Sequence, residues 1–130
     1  FTDTPWQKTL QTFVKTYHTR RDAMLAALEE YFPPEATWTH PEGGFFVWVT
    51  LPAYVDTGSM LSVALENGVT YTPGDGFFPD GTSGKNCMRI AFCFESPENL
   101  TEAVRRLAAV IEERLELYRA FIQAGAIKPE

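Results

Sequence analysis

The stretch Lys85-Asn86-Cys87-Met88-Arg89-Ile90-Ala91-Phe92-Cys93-Phe94 alternates with a period of two. Successive side chains of a strand point to opposite sides, so Met88, Ile90, Phe92 and Phe94 share one face, while Cys87, Arg89, Ala91 and Cys93 share the other. The bulky face is predicted to be core, and the other sets one cation among small neighbours. A second run, Phe45-Phe46-Val47-Trp48-Val49-Thr50-Leu51, is apolar on both faces. A strand dressed this way is central in its sheet, or has one face on the core and the other against a partner domain. Pro41-Glu42-Gly43-Gly44 turns the chain into it, and Ala36 to His40 reads as a further short strand. Val69 to Thr72 reads as another.

Three stretches carry helical spacing. Trp6, Leu10, Phe13, Tyr17, Met24, Leu28 and Tyr31 recur at three- and four-residue steps, with Thr4-Pro5 as cap and first turn and Pro33-Pro34 as the stop. The polar Thr19-Arg20-Arg21-Asp22 interrupts this stripe. It is either a solvent-exposed stretch between two buried halves or the point where the helix passes from one domain contact to another. Asp56-Thr57 caps a short helix that carries Met60, Leu61, Ala64 and Leu65 inward, and Asn67-Gly68 closes it. Ser96-Pro97 opens a long helix whose buried stripe is Leu100, Val104, Leu107, Ile111, Leu115 and Tyr118. Residues 1–4 read as a lead-in and Lys128-Pro129-Glu130 as a tail.

Strands joined by short turns and interleaved with helices predict an α+β fold: a small, mostly antiparallel sheet with helices packed on one side. At 130 residues and 45% hydrophobic, the chain has the size and the core of a single domain. Its net charge of -6 argues against a nucleic-acid or anionic-membrane surface, since no Lys/Arg cluster is present to displace counterions from phosphates. No apolar run approaches the roughly 20 residues of a membrane span, and no signal-peptide pattern opens the chain, so a cytoplasmic location is expected. Phe1 is not preceded by an initiator Met, which leads us to expect an excised portion of a longer chain.

Candidate chemistry narrows quickly. Cys87 and Cys93 are six residues apart on one predicted strand, about 20 Å at ~3.3 Å per residue, beyond disulfide reach. His18 and His40 have no partner at metal-ligand spacing. Gly81-Thr82-Ser83-Gly84-Lys85-Asn86 fails as a phosphate loop, because Asn86 stands where Ser or Thr should bind magnesium and the segment leads into a strand. Asn99-Leu100-Thr101 matches a glycosylation sequon but lies in the first turns of a helix. No nucleophile–base pair has supporting spacing. Pro73 to Gly84 forms a glycine-rich loop whose Phe77 and Phe78 either cover a site or tie the loop to the core. There remains Arg89, a rigid two-pronged donor matched to a carboxylate, for which the bland role is an ion pair with a surface acid.

Pro41-Glu42-Gly43-Gly44-Phe45-Phe46-Val47-Trp48, Leu51-Pro52, Gly68-Val69, Tyr71-Thr72-Pro73-Gly74 with Phe77, and Asn86-Cys87-Met88-Arg89-Ile90-Ala91-Phe92 together resemble the C-terminal small domain of class I/II (fold-type I) aminotransferases. The 2-aminoadipate, kynurenine and aromatic aminotransferases are the branch most similar in pattern. The resemblance runs from Tyr17-His18-Thr19-Arg20-Arg21-Asp22 to Ile111. It implies that residues 1–130 are a single small domain and that Arg89 binds the substrate α-carboxylate as the chain's one site residue. The resemblance further implies transfer of an amino group between an α-amino acid and a 2-oxo acid with pyridoxal 5'-phosphate. The cofactor's lysine, and the groups that hold its ring and phosphate, are expected in a large domain of the same polypeptide. Lys85 does not match the family's lysine motif, so no catalytic, cofactor-binding or metal residue is expected here and the chain alone should be inactive. A homodimeric parent is also implied. The alternative is the aminotransferase-like effector domain of a winged-helix transcriptional regulator.

Overall fold

The computed structural model describes residues 5–80 and 83–125. Helix α1 spans Pro5–Tyr31, strand β1 Thr37–Trp38, β2 Phe46–Thr50, helix α2 Thr57–Glu66, β3 Thr72–Pro73, β4 Cys87–Ala91 and helix α3 Pro97–Gln123, with a 3-10 turn at Gly74–Phe77. The expected Thr4 cap, the lead-in and the tail lie outside the described residues. The strands form one sheet in the order β1-β2-β4-β3, and every neighbouring pair is antiparallel. The α+β architecture is as expected, and β2, apolar on both faces, is indeed an interior strand.

Register decides which side chains meet. Val47 is opposite Ile90 and Val49 opposite Met88, while Phe46 is opposite Ala91, Trp48 opposite Arg89 and Thr50 opposite Cys87. The first set joins Met24 and Leu28 of α1, Met60 and Ala64 of α2, and Leu107, Ile111 and Leu115 of α3 in one buried cluster. All three helices therefore contribute to the core on one side of the sheet. The second set lies on the other side, under the 3-10 turn.

Helix α2 starts at Asp56, whose side chain accepts from the Ser59 N–H, and Gly68 at φ +78° follows its end. Only Gly takes that left-handed backbone without strain. Ser96 caps α3 in the same way, through the Asn99 N–H, with Pro97 at the first turn. Three expectations need correction. Phe94 is exposed rather than core, because β4 ends at Ala91 and the chain bends through Cys93–Glu95 to reach the Ser96 cap. Leu65 is exposed, since only Met60 and Ala64 of the inward positions reach the core and Leu61 is half-buried. The ladder of β3 involves Thr72 and Pro73, so Val69–Tyr71 runs up to the sheet without joining it.

Helix α1 divides in two. Met24, Ala27 and Leu28 are buried, whereas Trp6, Leu10, Phe13 and Val14 are exposed. The interruption at 19–22 thus lies between a half packed on this chain's core and a half exposed on this chain, so it does not join two halves that are both buried here. Among the described residues no helix is long and apolar enough to cross a membrane.

Candidate functional site: the Arg89 face of the sheet

Strand β4 holds Arg89 between Trp48 of β2 and Thr72 of β3. The strand is set in place at its start by a polar node. Buried Thr57 donates its backbone N–H to the Lys85 carbonyl (2.8 Å) and its hydroxyl to the Cys87 carbonyl (2.7 Å). Asn86 ties the same end to the Leu51 carbonyl through its side-chain amide at 2.6 Å. The Tyr71 hydroxyl donates to the Thr57 carbonyl, and burial holds that phenol well above its ordinary range. Each buried polar group in this node has a partner, as a rigid support requires.

Among the described residues the guanidinium itself has none. Nε of Arg89 is buried and makes no hydrogen bond, and none of the ion pairs among the described residues includes Arg89. Its carbon Cζ lies 3.9 Å from the centroid of the Phe46 ring and 4.7 Å from that of Phe77. The surface ion pair, the bland role open to Arg89 from sequence, is therefore absent from this part of the chain. Arg89, Phe46, Thr72 and Ala91 are among the residues lining a groove of about 540 Å³, which also touches Met24, Ile90 and Leu107 of the core side and the acidic Glu95 and Glu102. A half-buried cation with unused donors at the edge of a groove can receive a planar anion.

Phe77 and Phe78 are tied to the open face of the sheet and not to the core cluster. Both lie against Trp48, with ring centroids 5.5 and 6.1 Å away, and Phe77 also lies over Arg89. The contact of Phe46 with Arg89 was not foreseen. The parity that puts Phe46 and Trp48 on one side of β2 was legible, but only the β2–β4 register brings that side to Arg89.

The model of the family "Aminotransferase class I and II" matches residues 2–107. The chain belongs to that family. It is 45% identical over 109 residues to aromatic-amino-acid aminotransferase 1 of Thermococcus litoralis, covering 84% of this chain and 26% of that protein. A multiple substrate aminotransferase from Thermococcus profundus superposes with a TM-score of 0.79 at 45% identity, over 85% of this chain and 27% of the other. The alpha-aminoadipate aminotransferase of Thermus thermophilus, solved with N-(5'-phosphopyridoxyl)-L-leucine, superposes at 0.81 with 33% identity, over 86% and 28%. This chain thus spans about a quarter of the length of the relatives it matches.

The described residues do not assemble a cradle for pyridoxal phosphate. Lys8, Lys15 and Lys85 are all exposed, and none of them lines the groove.

Proposed function

We propose that this chain is the C-terminal small domain of a pyridoxal-phosphate-dependent aminotransferase, and that Arg89 binds the α-carboxylate of the amino-acid or 2-oxo-acid substrate. The observation that carries the reading is the state of Arg89: half-buried, among the residues that line a groove, and without a carboxylate partner among the described residues. The cofactor supplies the electron sink for chemistry at the substrate Cα. In this proposal a large domain of the same polypeptide holds it, in a protein that works as a homodimer. This chain's share is orientation, since a carboxylate fixed by two parallel N–H···O bonds leaves the substrate little rotational freedom at Cα. Kinship at 45% identity with an aromatic aminotransferase supports the enzyme over the regulator.

The test is Arg89→Ala in the complete protein, assayed on an amino acid and on the amine that lacks its carboxylate. Loss of a charge-assisted bidentate pair should lower kcat/KM for the acid by about 3 kcal/mol and leave the amine nearly unchanged. Arg89→Lys should recover part of the loss, because an ammonium cannot engage both oxygens in the same plane. Equal losses on acid and amine, or an unaltered preference between them, would rule the assignment out.

A further inference from the structure

The rings beside Arg89 ask for an explanation of their own. Phe46 and Phe77 are 38% and 45% exposed, so burial of apolar area alone does not account for where they sit. Both nonetheless lie over the guanidinium. The negative face of an aromatic ring attracts a cation, most strongly where water is excluded. Unlike a carboxylate, a ring face leaves the in-plane N–H donors of the guanidinium unspent. Nε, buried and without a hydrogen-bond partner, fits an arginine held by rings instead of by acceptors.

Phe77 is itself held from behind. Its ring stands edge-on to Trp48 at 5.5 Å, and Trp48 is the cross-strand partner of Arg89. The loop that carries Phe77 is closed at its neck by two glycines. A Cβ at Gly74 would meet the Cys87 Cβ at 2.7 Å and the Gly84 carbonyl oxygen at 2.8 Å, and a Cβ at Gly84 would overlap the Phe78 ring. Backbone packed this closely at the neck limits how far Phe77 can move from Arg89.

We propose that Phe77, with Phe46, is a positioning residue for the substrate carboxylate: the two rings orient the Arg89 guanidinium and keep its donors free until the carboxylate arrives. Orienting the cation beforehand lowers the ordering cost at binding, and so appears as affinity for the carboxylate. The inference rests on the carboxylate reading of Arg89.

Four variants of the complete protein test it: Phe77→Leu, Phe77→Tyr, Phe46→Leu and Arg89→Ala. Each is assayed on an amino acid and on the corresponding amine, and each is titrated calorimetrically with 3-phenylpropionate as an unreactive carboxylate. Phe77→Leu should weaken 3-phenylpropionate about tenfold and lower kcat/KM for the acid equally, through KM, with the amine unchanged. Phe77→Tyr keeps a ring and should stay within about twofold of wild type. Phe46→Leu, on a strand and independent of the loop's integrity, should act in the same direction. Unchanged carboxylate binding in both leucine variants would overturn the inference. Equal losses on acid and amine would do so too, since they would make the rings walls for the rest of the substrate or plain packing. The failures are distinguishable. If Arg89→Ala abolishes the acid-over-amine preference while the leucine variants keep it, only the positioning role falls. If Arg89→Ala keeps the preference, the carboxylate reading falls and takes the positioning role with it.

Discussion

One face of the sheet is sealed and the other is not, although the same strands build both. Val47, Val49 and Met88 are fully buried under helices, while Phe46 and Phe77 on the opposite side are well exposed and Trp48 and Arg89 half-buried. The sealed face is held by close packing of apolar side chains, for which the sign of any charge is irrelevant. The open face is held by contacts that need one particular partner: a cation over two rings, and rings edge-on to an indole. Substitution should therefore cost stability on the first face and selectivity on the second.

The largest effect expected on stability comes from a pair of phenylalanines two residues apart. Phe92 is fully buried against Tyr17, with ring centroids 5.6 Å apart, whereas Phe94 is 76% exposed. Phe92→Ala should lower the unfolding free energy by about 3–5 kcal/mol in chemical denaturation, through lost burial and the cavity left behind. Phe94→Ala should change it by no more than about 0.5 kcal/mol. Similar costs at the two positions would mean that the chain does not bend out of the sheet after Ala91.

That pair also marks a limit of what was legible in the sequence. Alternation identified the core face of β4 and placed Arg89 opposite it, because period-two patterning follows directly from strand geometry. It gave no sign of where pairing stops, and Phe94 continues the parity after the strand has ended. The Ser96-Pro97 cap was the one available signal, since a chain about to enter a helix needs residues in which to turn. Leu65 failed similarly, because a short helix on a small core buries a narrower stripe than its apolar positions suggest. For the site, the cation and Phe46 were both visible, but their contact depends on a register between strands about 40 residues apart in sequence, which no local pattern encodes.

A smaller effect should sharpen the contrast on the open face. Gly84 sits at φ +81°, and a Cβ there would overlap the Phe78 ring. Gly84→Ala should cost about 1–3 kcal/mol, from a left-handed backbone that alanine resists plus displacement of the ring. A shift in Trp48 fluorescence should accompany it, because Phe78 lies against that indole. A loss of stability without any change at Trp48 would show that the loop yields elsewhere and leaves the open face as it was.

The smallest effect concerns the polar node that links the two faces. Tyr71 donates to the Thr57 carbonyl, and Thr57 in turn holds the start of β4. At neutral pH, Tyr71→Phe should lower stability by about 1 kcal/mol, the net worth of a typical intramolecular hydrogen bond. At alkaline pH the difference should shrink. Burial raises the phenol's pKa above its ordinary value of 10.0, with the nearby Arg114 charge opposing the shift and Asp56 adding to it. A group whose pKa is raised on folding contributes stability that is complete below its unfolded pKa and is lost as pH rises through the folded one. Wild type should therefore lose stability from about pH 10 upward as the unfolded chain ionises at Tyr71, while the phenylalanine variant lacks that contribution. Denaturation curves of both proteins between pH 8 and 11 measure the gap directly. A gap that stays constant across that range would mean that the phenol titrates alike in the folded and unfolded chain, and that Tyr71 is not held in the buried node that supports Arg89.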